Sequence, residues 1–587
     1  VCSSDLAAFI EEQTRLFGTD HRYAADSFIE MTPPTGDLDY LANTGRAIYQ
    51  AMAQSDPQAV WLLQGWTFMN QAAFWKPERI RAFLDAVPDD HMLVLDLFCE
   101  SNPVWKATEA FFGKPWVWSF VYLFGDTTTL GSSGPLQRFA DLADARRDPR
   151  GANLRGVGLM MEGFGHNPLL YDLMFESAWR DQIDLPAWLP DFAAYRYGRR
   201  NDEAAAAWEA LRAGAYSRAA GGQRAVTAFP ASSPAYVTAP AAGLTRAYRL
   251  LLSAHDALGD REAYRHDLVN VARQALSNHS GRLHRRVAEA FESKDAAAYR
   301  QASAAFLELI TDLDDLLATN DEFLLGTWLA DARRWGQTEA ERARLEWNAR
   351  RIITVWSPTG GGGLRDYAWK EWSGLLRGFY AQRWRIFCAA QQAALDQRKP
   401  FDEAACQAEV RRFEDAWCDQ HERYPAAPRG DSYAVARRLF DKYLLAEPSL
   451  RSLTTDRPVT CSMALPDMDA SLANDGVVDA ESYWGTDVTK DPAAWWQVDL
   501  QQQTTVGRVV VVGYYGDERW YGFTVEGSAD GQSWVTLADR RANRDRSTRA
   551  GYTCVFEARA VRYLRITMSS NSANTGRHLV EVSAYAK

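Results

Sequence analysis

Nowhere in the 587 residues does an apolar run reach the roughly 18 side chains that a membrane-spanning helix needs. Positive charge is also short: the net charge of −11 excludes a chain built to neutralise nucleic-acid phosphates. Cysteine is sparse and scattered, at Cys2, Cys99, Cys388, Cys406, Cys418, Cys461 and Cys554. No two of them form a C-x-x-C pair, which argues against a zinc site. No glycine-rich phosphate loop follows a candidate strand, so a dinucleotide-binding sheet lacks its signature. The chain also opens without Met and without a charged-then-apolar leader. Its first six residues, VCSSDL, read as a translated sequencing adaptor. The expectation is therefore that residues 1–6 are an artefact and that a natural N-terminal part, with any signal segment, is missing.

What is present is aromatic. The 22 Trp and 24 Tyr suit stacking on the CH faces of sugars, and equally suit core packing, because each buries a large area. The length exceeds one core and predicts two to four domains. Candidate strands lie at 22–29, 59–66, 92–98, 116–124 and 156–161, with helical patterns such as 38–53 and 77–87 between them. Apolar strands alternating with helices predict a parallel sheet covered on both faces, the back part of an eight-stranded (β/α) barrel. An open doubly wound sheet is the competitor. From 189 to 446 long helical patterns dominate, broken by glycines 360–363. After a linker at 447–458, short Val-, Tyr- and Thr-rich runs at 508–512, 522–526, 533–536 and 563–567 predict a β-sandwich over 459–587.

Barrel chemistry sits at strand ends, where Glu30 and Glu162 stand out. Paired carboxylates are what glycoside hydrolysis requires, one to protonate the leaving oxygen and one to attack carbon. Asp96 and Glu100 also lie near a strand end. A structural salt bridge would account equally well for any of these acids.

Several runs then narrow the choice: GTDHRYAADSFIEMTPP (18–34), AVWLLQGWTF (59–68), MLVLDLF (92–98) and GLMMEGFGHN (158–167). The helical part adds FLLGTWL (323–329), TVWSP (354–358), LRDYAWKEWSGL (364–375) and RYPAAPRGD (423–431). In this order they resemble the α-N-acetylglucosaminidases, glycoside hydrolase family 89. The resemblance implies a partial TIM-type barrel over 7–188, an all-α domain over 189–446 closing the active site, and retaining hydrolysis of terminal α-linked N-acetylglucosamine. It implies Glu30 as acid/base, Glu162 as nucleophile about 5–5.5 Å away, and Trp66, Leu97, Phe124, Trp356, Leu364 and Tyr367 as substrate-binding residues. A raised acid pKa, produced by burial beside aromatic rings, goes with those roles. Two positions depart from the family pattern: Ile29 stands where an Asn is usual, and Leu123 begins a stretch that lacks the usual amides. Both leave specificity open, together with a degenerate glycan-binding protein or an α-hexosaminidase of altered preference.

The runs LANDGVVDAESYWGTD (472–487), WWQVDL (495–500), TVEGSADGQSW (524–534), VRYLRI (561–566) and HLVEVSAY (578–585) resemble discoidin-like, coagulation factor 5/8 C-type modules, including carbohydrate-binding module family 32. A jelly-roll, galactose-binding-like sandwich is implied, with a structural calcium at Asp475 and Glu581. Glycan contacts are expected at Tyr515, Asp517, Arg519, Tyr521, Arg577 and His578, and Trp495 and Trp496 are expected to anchor the core. No cofactor is expected for the chemistry, a glycan is the expected partner, and an extracellular, periplasmic or lysosome-like compartment follows. A barrel without its first strands keeps an open edge, so the chain as given is expected to be inactive and poorly soluble.

Overall fold

The computed structural model describes residues 3–122, 124–126, 130, 136, 140–162, 167–216, 222–232, 234, 236, 242–356, 364–444, 452–455, 457–466, 468–476, 478 and 483–586. They divide into two units at Trp188 and Leu189.

The first unit is built on five parallel strands in sequential order: β1 (Arg22–Ala24), β2 (Val60–Gln64), β3 (Met92–Asp96), β4 (Trp116–Phe120) and β5 (Leu154–Leu159). Helices cross between them, as parallel pairing demands. Leu38–Ser55 starts on Asp37, whose carboxylate accepts the Tyr40 amide at 2.8 Å. Pro77–Leu84 starts on proline, whose missing N–H costs nothing there. On one face of the sheet Trp61, Leu63, Met92, Val94, Trp116 and Trp118 are buried. Phe83 and Trp105, from the crossing segments, meet Trp61 and Trp116 at 5.7 and 5.6 Å.

Two expectations need correction. The other face (Leu62, Leu93, Leu95, Val117) is only half-buried, because a five-strand arc has no opposite wall to fill its concave side. Strands also end earlier than their apolar runs: β1 stops at Ala24, and residues 27–30 form a turn. Glu30 and Glu162 therefore sit on the loops beyond strands β1 and β5, because loop residues here pack apolar side chains just as strand residues do.

The second unit joins a helical layer to the sandwich. Its backbone is the 31-residue helix Glu262–Glu292 beside Ala296–Leu317, with Glu339–Ile352, Ala381–Gln397, Glu403–Cys418 and Ser432–Tyr443 around them. The sandwich contains β6 (Val459–Cys461), β7 (Trp484–Asp487), β8 (Trp495–Gly513), β9 (Tyr521–Ser528), β10 (Val535–Asp539), β11 (Tyr552–Asn571) and β12 (Gly576–Tyr585). Antiparallel pairing runs β10-β9-β11-β8-β12-β7, with β6 on β8. Register shifts in β11 between Val555 and Arg559, and between Val561 and Tyr563, bend the long ladder. It closes around Trp484, Trp496, Phe523, Leu564 and Ile566. Trp496 is wholly buried, whereas Trp495, one residue away, faces outward under the Arg565 guanidinium at 4.8 Å. Only half of that expected tryptophan anchor is therefore in the core, as strand alternation requires.

Burial holds three histidines of this unit neutral. It pulls His279 down to about 3, with Arg282 and Arg286 adding to the effect, and His284 down to about 4. His578 falls to about 4 through burial and then the Arg519 charge. The unfolded chain takes up these protons near pH 6.5, so stability is complete above that pH and falls as pH drops toward 4. We expect the melting temperature to drop steadily between pH 7 and 5, with about 1.4 kcal/mol per pH unit from each histidine. His279→Gln should flatten the slope in a pH series of thermal melts.

Candidate active site

The loop after β1 is laced to the end of β2. The Trp61 indole N–H donates to Ala25 O at 2.7 Å, and the Gln64 amide and side chain donate to Asp26 at 3.1 and 2.5 Å. Asp26 is half-buried, and burial raises its carboxyl despite those donors. Phe28 takes a left-handed φ of 60°, a strain that clusters at functional loops. This places Glu30 where Trp66 Nε1–H donates to its Oε1 at 3.3 Å. Trp66 opens the short helix Trp66–Asn70, so it does not lie on the strand expected to contain it.

Beyond β3 and β4, two further carboxylates shape the site. Asp96 accepts the amides of Val104 and Trp105 at 3.3 and 2.8 Å, and burial lifts its pKa to about 6. Glu100 accepts the amides of Val121 and Tyr122 at 3.1 and 3.0 Å, the latter at a left-handed φ of 75°. Both acids satisfy backbone amides where the chain leaves the sheet.

That bend delivers Phe124 and Gly125. Phe124 meets Trp66 at 5.7 Å and Phe98 at 5.2 Å, and Phe98 meets Trp66 at 6.4 Å. The Gly125 amide donates to Glu162 Oε2 at 2.7 Å. An aromatic wall of Trp66, Phe98 and Phe124 thus has Glu30 at one end and Glu162 at the other. Both glutamates are exposed. The burial expected for the acid is absent: among the described residues, the aromatic wall reaches Glu30 through Trp66 from the β2 side. Leu97, expected at the substrate, is 8% exposed and turned into the core. The turn after β3 hands the wall position to Phe98, a residue the sequence reading missed. Ile29 is half-buried, and Leu123 lies outside the described residues.

In the second unit, Trp356 and Leu364 are 36% and 43% exposed, and Trp356 meets Tyr367 edge-on at 5.5 Å. Trp356 and Asp366 both have left-handed φ. Asp366 is fixed by the buried Arg383, which donates to both carboxylate oxygens at 2.8 and 2.7 Å. Glycines 360–363 lie outside the described residues.

On the sandwich, Arg519 pairs with Asp517 at 2.6 Å and caps the Tyr514 ring at 4.6 Å. His578 shares a hydrogen bond with the Tyr521 hydroxyl at 2.8 Å and meets Tyr483 edge-on at 5.2 Å. The Tyr515 hydroxyl donates to Val478 O at 3.2 Å. Two expected contacts fail. Tyr521 is wholly buried, because its place on β9 points inward, and Arg577 is 7% exposed, with its guanidinium spent on backbone carbonyls such as Thr575 O at 3.2 Å. Tyr483 and Tyr514 occupy the rim in their place, and no sequence signal separated them from core tyrosines.

Asp475 and Glu581 are buried together, 3% and 2% exposed. Glu581 accepts the Gly476 amide at 3.1 Å. Burial first, and then the Asp475 charge, raise its carboxyl well above the usual range. Like charges in a dry site call for a proton or a cation, and all-oxygen donors suit a hard cation. Among the described residues no group of three or more His, Cys, Asp or Glu converges on a metal position.

Fold and site together define a barrel scaffold of the glycoside-hydrolase type with an appended sandwich module. Models of the α-N-acetylglucosaminidase TIM-barrel and C-terminal domains match residues 6–181 and 188–442, and a model of a NedA-like galactose-binding domain matches 472–566. α-N-Acetylglucosaminidase of Homo sapiens is 38% identical over 444 residues, 74% of this chain and 59% of the human one. The family 89 glycoside hydrolase from Clostridium perfringens, in complex with 2-acetamido-1,2-dideoxynojirimycin, superposes with a TM-score of 0.64 at 26% identity, covering 74% of this chain and 50% of that one. A variant of it with two glutamates changed to glutamine, in complex with its substrate GlcNAc-α-1,4-galactose, gives a TM-score of 0.65 at the same 26% identity and the same coverage of 74% and 50%. The chain belongs to the α-N-acetylglucosaminidase family, glycoside hydrolase family 89, and has a coagulation factor 5/8 C-type domain at its C-terminal end. It spans 59% of the length of the human relative and 50% of the Clostridium chains.

Removing the Glu100 carboxylate strands two buried amides. Glu100→Ala should cost about 2–4 kcal/mol at roughly 1–2 per amide, read as a lowered midpoint in urea unfolding. Glu100→Gln, which keeps an acceptor, should lose less.

Proposed function

We propose that the chain acts as a retaining exo-glycosidase on glycans ending in α-linked N-acetylglucosamine. The observation that carries this reading is the wall of Trp66, Phe98 and Phe124 with a glutamate at each end. A sugar ring stacks on such a wall with its anomeric carbon between the two carboxylates. Glu162 attacks the anomeric carbon, Glu30 gives its proton to the departing oxygen, and a glycosyl-enzyme forms. Water, deprotonated by Glu30, releases the sugar with its configuration retained. The Gly125 amide orients Glu162, and the Trp66 indole orients Glu30. Crystallisation of the Clostridium relative with its substrate after two Glu-to-Gln changes supports a glutamate pair as the chemical centre. Trp356, Leu364 and Tyr367 are assigned to substrate binding, and no cofactor enters the chemistry. A glycan substrate places the work in an extracellular, periplasmic or lysosome-like compartment. Among the described residues no helix is long and apolar enough to cross a membrane.

Ile29 favours a second reading, a glycan-binding protein without turnover, because it puts a hydrocarbon beside the acid where an amide is usual. Hydrolysis of a chromogenic α-N-acetylglucosaminide separates the two. The first reading expects turnover that falls at least about 10³-fold in Glu162→Gln and about 10²-fold or more in Glu30→Gln. The second expects 2-acetamido-1,2-dideoxynojirimycin to raise the melting temperature with no turnover at all. Neither turnover nor a melting shift would sink both.

For the sandwich we propose a glycan-holding role through its rim of Tyr483, Tyr514, Asp517, Arg519 and His578. A calcium ion held by Asp475 and Glu581 would supply charge neutralisation for the buried pair. Millimolar calcium should raise the melting temperature, and Glu581→Gln should abolish that rise. An identical response in Glu581→Gln would remove the site.

A further inference from the structure

Two exposed tryptophans of the helical layer, Trp328 and Trp335, have no part in the chemistry above. Helix Leu325–Arg334 and its helical cap residue Trp335 place Trp328 and Trp335 seven positions apart. That is two turns along one face, about 10 Å apart along the axis. Trp335 is 80% exposed and Trp328 37%, although tryptophan is normally well buried. Trp328 is not loose: its indole N–H donates to Ala349 O at 2.9 Å, which fixes the ring plane. Its ring meets Trp372 at 5.9 Å, and the Lys370 ammonium lies over Trp372 at 5.2 Å. The Leu325 amide donates to Ser373 O at 3.1 Å, so the helix start is tied to the segment that bears Trp372 and, five residues earlier, Tyr367. In sequence between the two helix rings, Asp331 and Arg334 form an ion pair at 2.6 Å with both side chains more than half exposed.

We propose that Trp372, Trp328 and Trp335 form a stacking strip for an extended glycan, separate from the sandwich module. Sugar rings would sit on Trp328 and Trp335 two units apart in the chain, with Asp331 and Arg334 bonding hydroxyls between them. A pyranose offers an apolar CH face ringed by hydroxyls. It therefore suits an exposed ring near hydrogen-bonding groups, and Trp328 and Trp335 are exposed on the helix that carries this ion pair. A protein partner wants a contiguous apolar patch, and the ion pair interrupts one. The proposal rests on the reading that this chain acts on glycans, and it extends that reading from the terminal sugar to the chain behind it.

The test is calorimetric titration of the chain with chitopentaose, cellopentaose and a heparin hexasaccharide, with N-acetylglucosamine as the single-sugar control. At least one oligosaccharide should bind about tenfold more tightly than the single sugar. Trp335→Ala should weaken that oligosaccharide about fivefold and leave the single sugar unchanged, and Trp335→Phe should stay within about twofold. Trp335 has no core role to lose, so folding does not confound it. Asp331→Asn with Arg334→Gln provides a second, milder variant expected to weaken the same ligand. Unchanged affinity of Trp335→Ala for all three oligosaccharides overturns the strip. So does a change in oligomeric state, seen by light scattering, with sugar affinity intact, since the face would then join copies of the chain. Loss of the strip with chromogenic turnover intact refutes this inference alone. Absent turnover with strip binding intact refutes the catalytic reading alone.

Discussion

Backbone amides that leave a sheet or a helix have lost their ladder partners, and this chain repeatedly meets that cost with a carboxylate. Asp96 takes the amides of Val104 and Trp105, Glu100 takes those of Val121 and Tyr122, and Asp26 takes that of Gln64. Without these acceptors the loops after β1, β3 and β4 would have no reason to hold one path, and Glu30, Trp66 and Phe124 would not meet. The same device recurs in the second unit, where Asp314 accepts the amides of Gly374 and Arg377 at 2.7 and 3.0 Å. It appears again in the sandwich at Glu581 and Gly476. Glu162 extends the device to a candidate nucleophile, whose Gly125 contact both orders the loop and holds the carboxylate.

The helical layer adds ion pairs that are dry on both sides. Arg273 reaches Glu371 at 2.8 Å, and Ser277 reaches the same carboxylate at 2.5 Å. Arg383 reaches Asp366 and, at 3.3 Å, Glu414. Cutting one member of such a pair costs about 3–5 kcal/mol, because the survivor stays buried and charged. These contacts brace the segment carrying Tyr367 and Trp372 while its backbone holds left-handed φ at Asp366 and Trp369. The segment is therefore rigid where it presents aromatic rings, a property that both sugar-pocket and strip readings require. The sandwich is tied to the long helix by polar contacts: Arg282 to Asp475 O and Arg285 to Val478 O, each at 3.4 Å. The guanidinium of Arg282 thus lies beside the acidic pair, so any cation there acts on the same loop as the helix.

Much of this was legible from residue order. Five apolar runs located all five strands of the first sheet, and the texture change after residue 188 located the helical layer. Quoted motifs pointed to the family and to two glutamates that lie at the ends of one aromatic wall. What stayed hidden has consistent causes. Strand ends were read too long because SFI and MM continue an apolar pattern into loops whose direction is set by hydrogen bonds, not hydropathy. Leu97 and Phe98, and likewise Tyr521 and Tyr514, look alike in sequence until the fold shows which of each pair is buried and which faces outward.

Sequence by itself determined the element order, the kinds of layers and the family, and nominated the acidic pair, since hydrophobic period and motif are local properties of the chain. Tertiary structure alone decided which carboxylates hold amides and which face solvent, and which tryptophan of Trp495 and Trp496 is core. It also decided that Trp328 and Trp335 stand exposed on one helix, with the half-buried Trp372 beside Trp328. Those outcomes depend on which segments meet across long sequence separations, and burial, the quantity that sorts a structural acid from a chemical one, exists only once they have met.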